Sequence, residues 1–149
     1  MEQSYRWVWK HSQITNIFYN GGCGLVVSSF LGFIEIFDSV NLHIPVWNSA
    51  HSDQKQLKEC GSICAADYSE ALDLLVFGGV SGMIHFIDQT TKKHNKSVQA
   101  HAHEIKLLKF FDQQHQLISV TITGDVGLWD SQKMTKYQVM KNSPNMLQS

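Results

Sequence analysis

The 149-residue chain has no extended basic run, and its 12 Lys and Arg against 13 Asp and Glu leave a formal net charge of -1. Without a cationic surplus there is no electrostatic footprint for nucleic acid or an anionic membrane as the main partner. Long hydrophobic stretches are missing too. The most apolar region, residues 23–37, is broken by Ser28, Ser29, two glycines and Glu35, short of the roughly 18 uninterrupted residues of a membrane span. The opening MEQSYRWVWK lacks the charged start and apolar core of a secretory signal, which makes the glycosylation sequon Asn95-Lys96-Ser97 idle. These absences point to a soluble, cytoplasmic protein with no nucleic-acid or membrane partner. Cysteine is scarce: Cys23, Cys60 and Cys64 cannot all pair within one chain, and no second CxxC-like pair completes a zinc site. Reduced thiols are expected.

What is present is an ordinary folded composition, 43% hydrophobic and 17% charged, enough for one domain. It also carries a repeat. The stretches LGFIEIFD (31–38), SGMIHFID (81–88) and TGDVGLWD (123–130) each run from a turn glycine through alternating apolar residues to an aspartate. The aspartates, Asp38, Asp88 and Asp130, are 50 and 42 residues apart, and a second landmark, Ile14, Ile63 and Ile105, is spaced 49 and 42. Two landmarks on one register make chance an inadequate explanation.

Each unit repeats the same order. A first apolar stretch (ITNIFY, ICAADY, IKLLKF) leads through a polar or glycine turn to a second (LVVSS, LLVFGG, LISVT). A short turn ending in Gly32, Gly82 or Gly124 then leads to a third (FIEIF, MIHFI, DVGLW). In the third stretch Ile34, Ile84 and Val126 match, as do Ile36, Phe86 and Leu128, with Glu35, His85 and Gly127 between them. Period two predicts strands, with those apolar pairs on one sheet face and Glu35 and His85 on the other. The three glycines stand where a tight hairpin needs positive φ. LHIPVW (42–47), the more polar KKHNKSV (92–98) and KYQVM (136–140) are candidates for a fourth, outer strand, and Pro45 fits only an edge.

Short antiparallel strands, four to a unit of about 42 residues, are the signature of β-propeller blades. The chain resembles WD-repeat proteins: Trp129-Asp130 is the WD dipeptide, replaced by Phe37-Asp38 and Ile87-Asp88 in the other units, and His101 stands where the family's glycine-histidine pair opens a blade. The resemblance covers roughly residues 11–140. It implies an all-β partial propeller of about three blades, at 11–50, 51–100 and 101–141, with a stray outer strand in 1–10 and a tail at 142–149. One departure stands out. The acid expected before each turn glycine is Leu31, Ser81 or Thr123, so the family's His, Ser/Thr, Asp and Trp network is incomplete: His101, Ser119 and Trp129 remain without the carboxylate. Such blades should depend on apolar packing between sheets.

Closed propellers have about four to eight blades, so three would leave exposed faces and strand edges at the break. The chain is therefore expected to be a fragment or truncated product, completed by further blades of a longer chain or by a partner chain. The resemblance implies a non-catalytic scaffold that binds other proteins. The turns Tyr19-Asn20 and Tyr68-Ser69 are similar to those of the long WD-repeat proteins of cilia and flagella, implying an axonemal setting. Trp7, Trp9 and Trp47 are candidate partner contacts, because exposed tryptophan is enriched at interface hot spots.

The alternative is a metal- or redox-linked all-β domain using the eight histidines and the cysteines. His101-Ala102-His103 could set two imidazoles on one strand face, with His94 and His115 nearby in sequence; His51, Cys60 and Cys64 form a second group. Neither has a strong ligand spacing. His51-Ser52-Asp53 holds triad letters too close together to converge as nucleophile and base. Asn20-Gly21-Gly22-Cys23-Gly24 lacks the GK[ST] of a phosphate loop and reads as a hairpin turn. Asp67, Glu70 and Asp73 read as a solvated acidic face. No catalytic residue, cofactor or metal ligand is expected.

Overall fold

The computed structural model describes residues 13–38, 45–48, 61–133 and 135–140; for 45, 47, 48 and 135–140 it is the backbone that is described. Trp7, Trp9, Cys60, the His51-Ser52-Asp53 segment and the 1–10 and 142–149 segments lie outside them. Three four-stranded sheets follow one another along the chain. The first holds β1 (Ile14–Asn20), β2 (Gly24–Ser29), β3 (Ile34–Phe37) and β4 (Pro45–Asn48). The second holds β5 (Ile63–Ser69), β6 (Leu74–Gly79), β7 (Met83–Asp88) and β8 (His94–Gln99). The third holds β9 (Ile105–Phe111), β10 (Gln116–Thr121), β11 (Val126–Asp130) and β12 (Thr135–Met140), with a 3-10 turn at Asp112–Gln114. Each sheet is an antiparallel meander with its strands in chain order, and we call the three blades 1, 2 and 3. The chain is all-β, and none of its described residues form a helix long and apolar enough to cross a membrane.

The registers of the blades superimpose. Val26 pairs with Ile36, Val76 with Phe86 and Ile118 with Leu128. The same turn closes the second and third strands of every blade: Gly32, Gly82 and Gly124 have φ of 85°, 79° and 91°, and each donates its N–H back three residues, to Ser29, Gly79 and Thr121. At Gly82 the requirement is twofold, since an added Cβ would also lie 2.1 Å from the His101 carbonyl oxygen. The repeat's closing acids cap the next turn. Asp88 accepts the Thr91 N–H at 2.9 Å, and Asp130 accepts those of Gln132 and Lys133, both at 3.0 Å. Pro45 opens an edge strand, where its missing N–H costs no ladder bond. The polar HNKSVQ segment forms β8 although its own pattern is weak, because pairing with β7 supplies its backbone partners.

Packing runs blade on blade. Val26, Ile34 and Ile36 of blade 1 meet Ile63, Leu75, Phe77 and Ile87 of blade 2 in one buried cluster. The opposite face of blade 2, with Leu74, Val76, Ile84 and Phe86, meets Ile105, Leu108, Phe110, Leu117 and Trp129 of blade 3. Alternation in the third strands is as expected, but both faces are covered: His85 is as buried as its apolar neighbours, and Glu35 is 9% exposed. A sheet with a neighbour on each side has no solvent face, so β6 is buried along its whole length.

Candidate functional site

Blade 3 holds the polar cluster that the WD-repeat resemblance implies. Trp129 Nε1–H donates to Ser119 Oγ at 2.9 Å, and Ser119 Oγ lies 2.7 Å from His101 Nε2. All three side chains are buried, so each hydrogen bond removes an otherwise costly orphan. At the position of the missing acid, Thr123 Oγ1 lies 2.8 Å from Thr121 Oγ1, which also accepts the Asp125 N–H. Gly127 makes room for the network. A Cβ there would stand 2.6 Å from Ser119 Oγ, 3.0 Å from Trp129 Nε1 and 3.1 Å from His101 Nε2. Its significance was hidden in the periodicity, although glycine in mid-strand is itself a sign of close approach.

Register pairs identify the matching positions elsewhere: Ser119 opposite Gly127 corresponds to Phe77 opposite His85 and to Val27 opposite Glu35. Blades 1 and 2 thus carry Val27 and Phe37, or Phe77 and Ile87, where blade 3 has Ser119 and Trp129, and these four are at most 1% exposed. At these two positions blades 1 and 2 are apolar, whereas blade 3 keeps a polar network.

The histidines do not gather as a metal site would require. Residues 101–103 lie in the turn before β9, so His101 and His103 do not share a strand face. His101 points into the network, whereas His103 is exposed. His85 and His94 do approach, with ring centroids 6.1 Å apart, but both bind one hydroxyl: Ser97 Oγ lies 2.6 Å from His85 Nδ1 and 2.5 Å from His94 Nε2. His85 Nε2 is buried with no hydrogen-bond partner. Burial, with a smaller effect of His94, lowers the His85 pKa to about 4, and burial lowers that of His94. Among the described residues no three His, Cys, Asp or Glu side chains are grouped to hold an ion.

Burial pushes the Cys23 thiol up to about 11. Cys64 rises to about 11 as well, through burial and through the Glu104 carboxylate, to which it donates. Neither thiol is activated as a nucleophile, which needs a lowered pKa. The acidic trio separates. Asp67 accepts the Phe110 N–H of blade 3 at 2.8 Å. Asp73 accepts from Tyr68 at 2.6 Å and from Thr90, and these bonds hold its pKa below the usual value.

The NGGCG segment is a hairpin turn, with Gly22 N–H donating to Asn20 Oδ1 at 2.7 Å. Beside it a cleft of about 260 Å³ is bordered by Asp38, Gln89 and Lys92. The Lys92 ammonium donates to the Gln89 carbonyl, so it belongs to the wall. Trp47 lies in β4 opposite Ile36.

No family model matches the sequence, and no curated protein matches it. Solved structures do resemble it. The WD40 repeats of RRP9 superimpose with a TM-score of 0.75 at 13% identity, covering 92% of this chain and 41% of that one. U3-55K gives 0.76 at 13% identity, over 92% and 42%. Sqt1 of Saccharomyces cerevisiae gives 0.66 at 18% identity, over 77% and 30%. The fold is that of part of a WD40 propeller, and the chain spans about two fifths of the length of the first two structures.

Proposed function

We propose that this chain is a non-catalytic protein-interaction scaffold, an arc of a larger WD40 propeller completed by further blades of a longer chain or of a partner chain. The observation that carries this reading is the outer face of blade 3. Blade 2 turns Ala65, Val76, Ile84 and Phe86 toward blade 3, and all four are at most 3% exposed. By register the corresponding residues of blade 3 are Leu107, Ile118, Val126 and Leu128. Leu107 is 49% exposed, and the other three, with Val120, are half-buried. Completing the burial of each aliphatic side chain would contribute roughly 1 kcal/mol, and a sheet of the same kind has the shape to do it.

The scaffold role rests on fold-level analogy. An axonemal setting rests on the Tyr19-Asn20 and Tyr68-Ser69 turns alone, and Tyr68 already has a local task in bonding Asp73; imaging the tagged protein in ciliated cells tests it. Sedimentation velocity of the isolated chain tests the arc. Concentration-dependent association and apolar-dye uptake are expected, both reduced by Ile118→Asp. A dye-free monomer with a cooperative melt would count against the proposal.

A further inference from the structure

Every first strand bulges one residue after its opening isoleucine, at Thr15, Cys64 and Lys106. In blades 1 and 2 the bulged side chain ties the strand to the following blade: the Thr15 hydroxyl donates to the Ile63 carbonyl, and the Cys64 thiol donates to the Glu104 carboxylate at 2.9 Å. Blade 2 adds two ties from the same strand. Asp67 accepts the Phe110 N–H at 2.8 Å, and Ser69 donates to Asp112 at 2.7 Å. By the shared register Lys106 takes the place of Cys64, Lys109 that of Asp67 and Phe111 that of Ser69. All three are exposed, on the first strand of the sheet whose Ile118, Val126 and Leu128 are half-buried.

A lysine at the bulge keeps the donor role of Thr15 and Cys64. A lysine at the Asp67 position inverts it, because an ammonium cannot accept the backbone N–H that a carboxylate takes. Covering two ammonium groups with a sheet is costly unless each meets an anion. We infer that the sheet covering blade 3 is a blade of a partner chain with an acidic leading edge: one carboxylate directly before its first strand, set against Lys106 as Glu104 is against Cys64, and a second just after that strand, for Lys109. The second position is that of Asp112, two residues beyond the amide that Asp67 binds. The inference deepens the arc reading and rests on it. A second copy does not fit. Its leading face is that of blade 1, where Val27 and Phe37 are 0% and 1% exposed, and the neutral Gln13 and Gly21 occupy the positions of Glu104 and Asp112. Back-to-back blade 3 faces would set lysine against lysine, which limits such a pair to weak, concentration-dependent association. Residues 141–149, which follow β12, contain no Asp or Glu.

The full chain extended by a second copy of residues 100–141, with a protease site in the join, tests this, because that copy brings Glu104 and Asp112 to its leading edge. Ile118→Asp in the added copy keeps its own outer face polar. A control extension also carries Glu104→Lys and Asp112→Lys in the added copy alone. The acidic extension is expected to reduce apolar-dye uptake, to melt about 3 °C or more above the control, and to stay bound through gel filtration after the join is cut, with the control held at least about tenfold more weakly. Lys106→Glu with Lys109→Glu in the original blade 3 should reverse that order. Equal behaviour of the two extensions, or an order that the reversal leaves unchanged, would overturn the inference and leave the arc standing. Loss of the acidic copy on cutting would overturn it too, as would a tight dimer of the unextended chain formed through blade 3. If neither extension lowers dye uptake, the arc falls and the inference with it.

Discussion

At the scale of single residues, burial decides which polar groups the fold can keep. Ser119 is tolerated because Trp129 and His101 satisfy it, and both bonds need the space left by Gly127. Gly127→Ala should therefore cost about 1–3 kcal/mol, as overpacking does, measured by chemical denaturation. His85 is the opposite case, with one nitrogen bonded to Ser97 and the other unpartnered. Its folded pKa of about 4 lies below the ordinary 6.5, so between those values the unfolded chain binds the proton and the folded chain does not. Its contribution to stability is present above about pH 6.5 and is lost as the pH falls through about 4, on the order of 3 kcal/mol in all. Denaturation midpoints across that window should fall with pH, and less steeply in His85→Gln. The WD-repeat resemblance marked His101, Ser119 and Trp129 as one unit. It was silent on Gly127 and on the His85, Ser97 and His94 contact, because alternation assigns a face and does not say whether a neighbouring sheet covers it.

At the scale of strands and turns, the fold was legible because one motif recurs. The twelve strands among the described residues follow the three apolar stretches and the outer segment of each unit, and the glycine turns have the positive φ that the sequence required. Gly82 combines that φ with a carbonyl 2.1 Å from any added Cβ, whereas Gly61, also at positive φ, has nothing within 4 Å. Gly82→Ala should destabilise by well over about 1 kcal/mol, and Gly61→Ala by about 1 kcal/mol or less, a difference that paired thermal melts will resolve. The weak β8 and the buried Glu35 were harder to foresee. β8 is held by its partner strand more than by its own pattern, and Glu35 sits on a sheet whose polar alternation gives no hint of burial.

At the scale of the whole molecule, two packed junctions join three blades, and an apolar face continues beyond the last of them. Among the described residues, the histidines near one another share a serine, and the thiols are buried or bonded to a carboxylate. Blade 2 is covered on both sides, whereas the outer face of blade 3 is half-open, and this asymmetry is what leaves the arc incomplete. Native-state amide hydrogen exchange on the 149-residue chain measures it most directly, since protection follows burial and local contact density. The slowest exchange is expected in β6 and β7, and distinctly faster exchange in β10 and β11. Equal protection of the two strand pairs would contradict it.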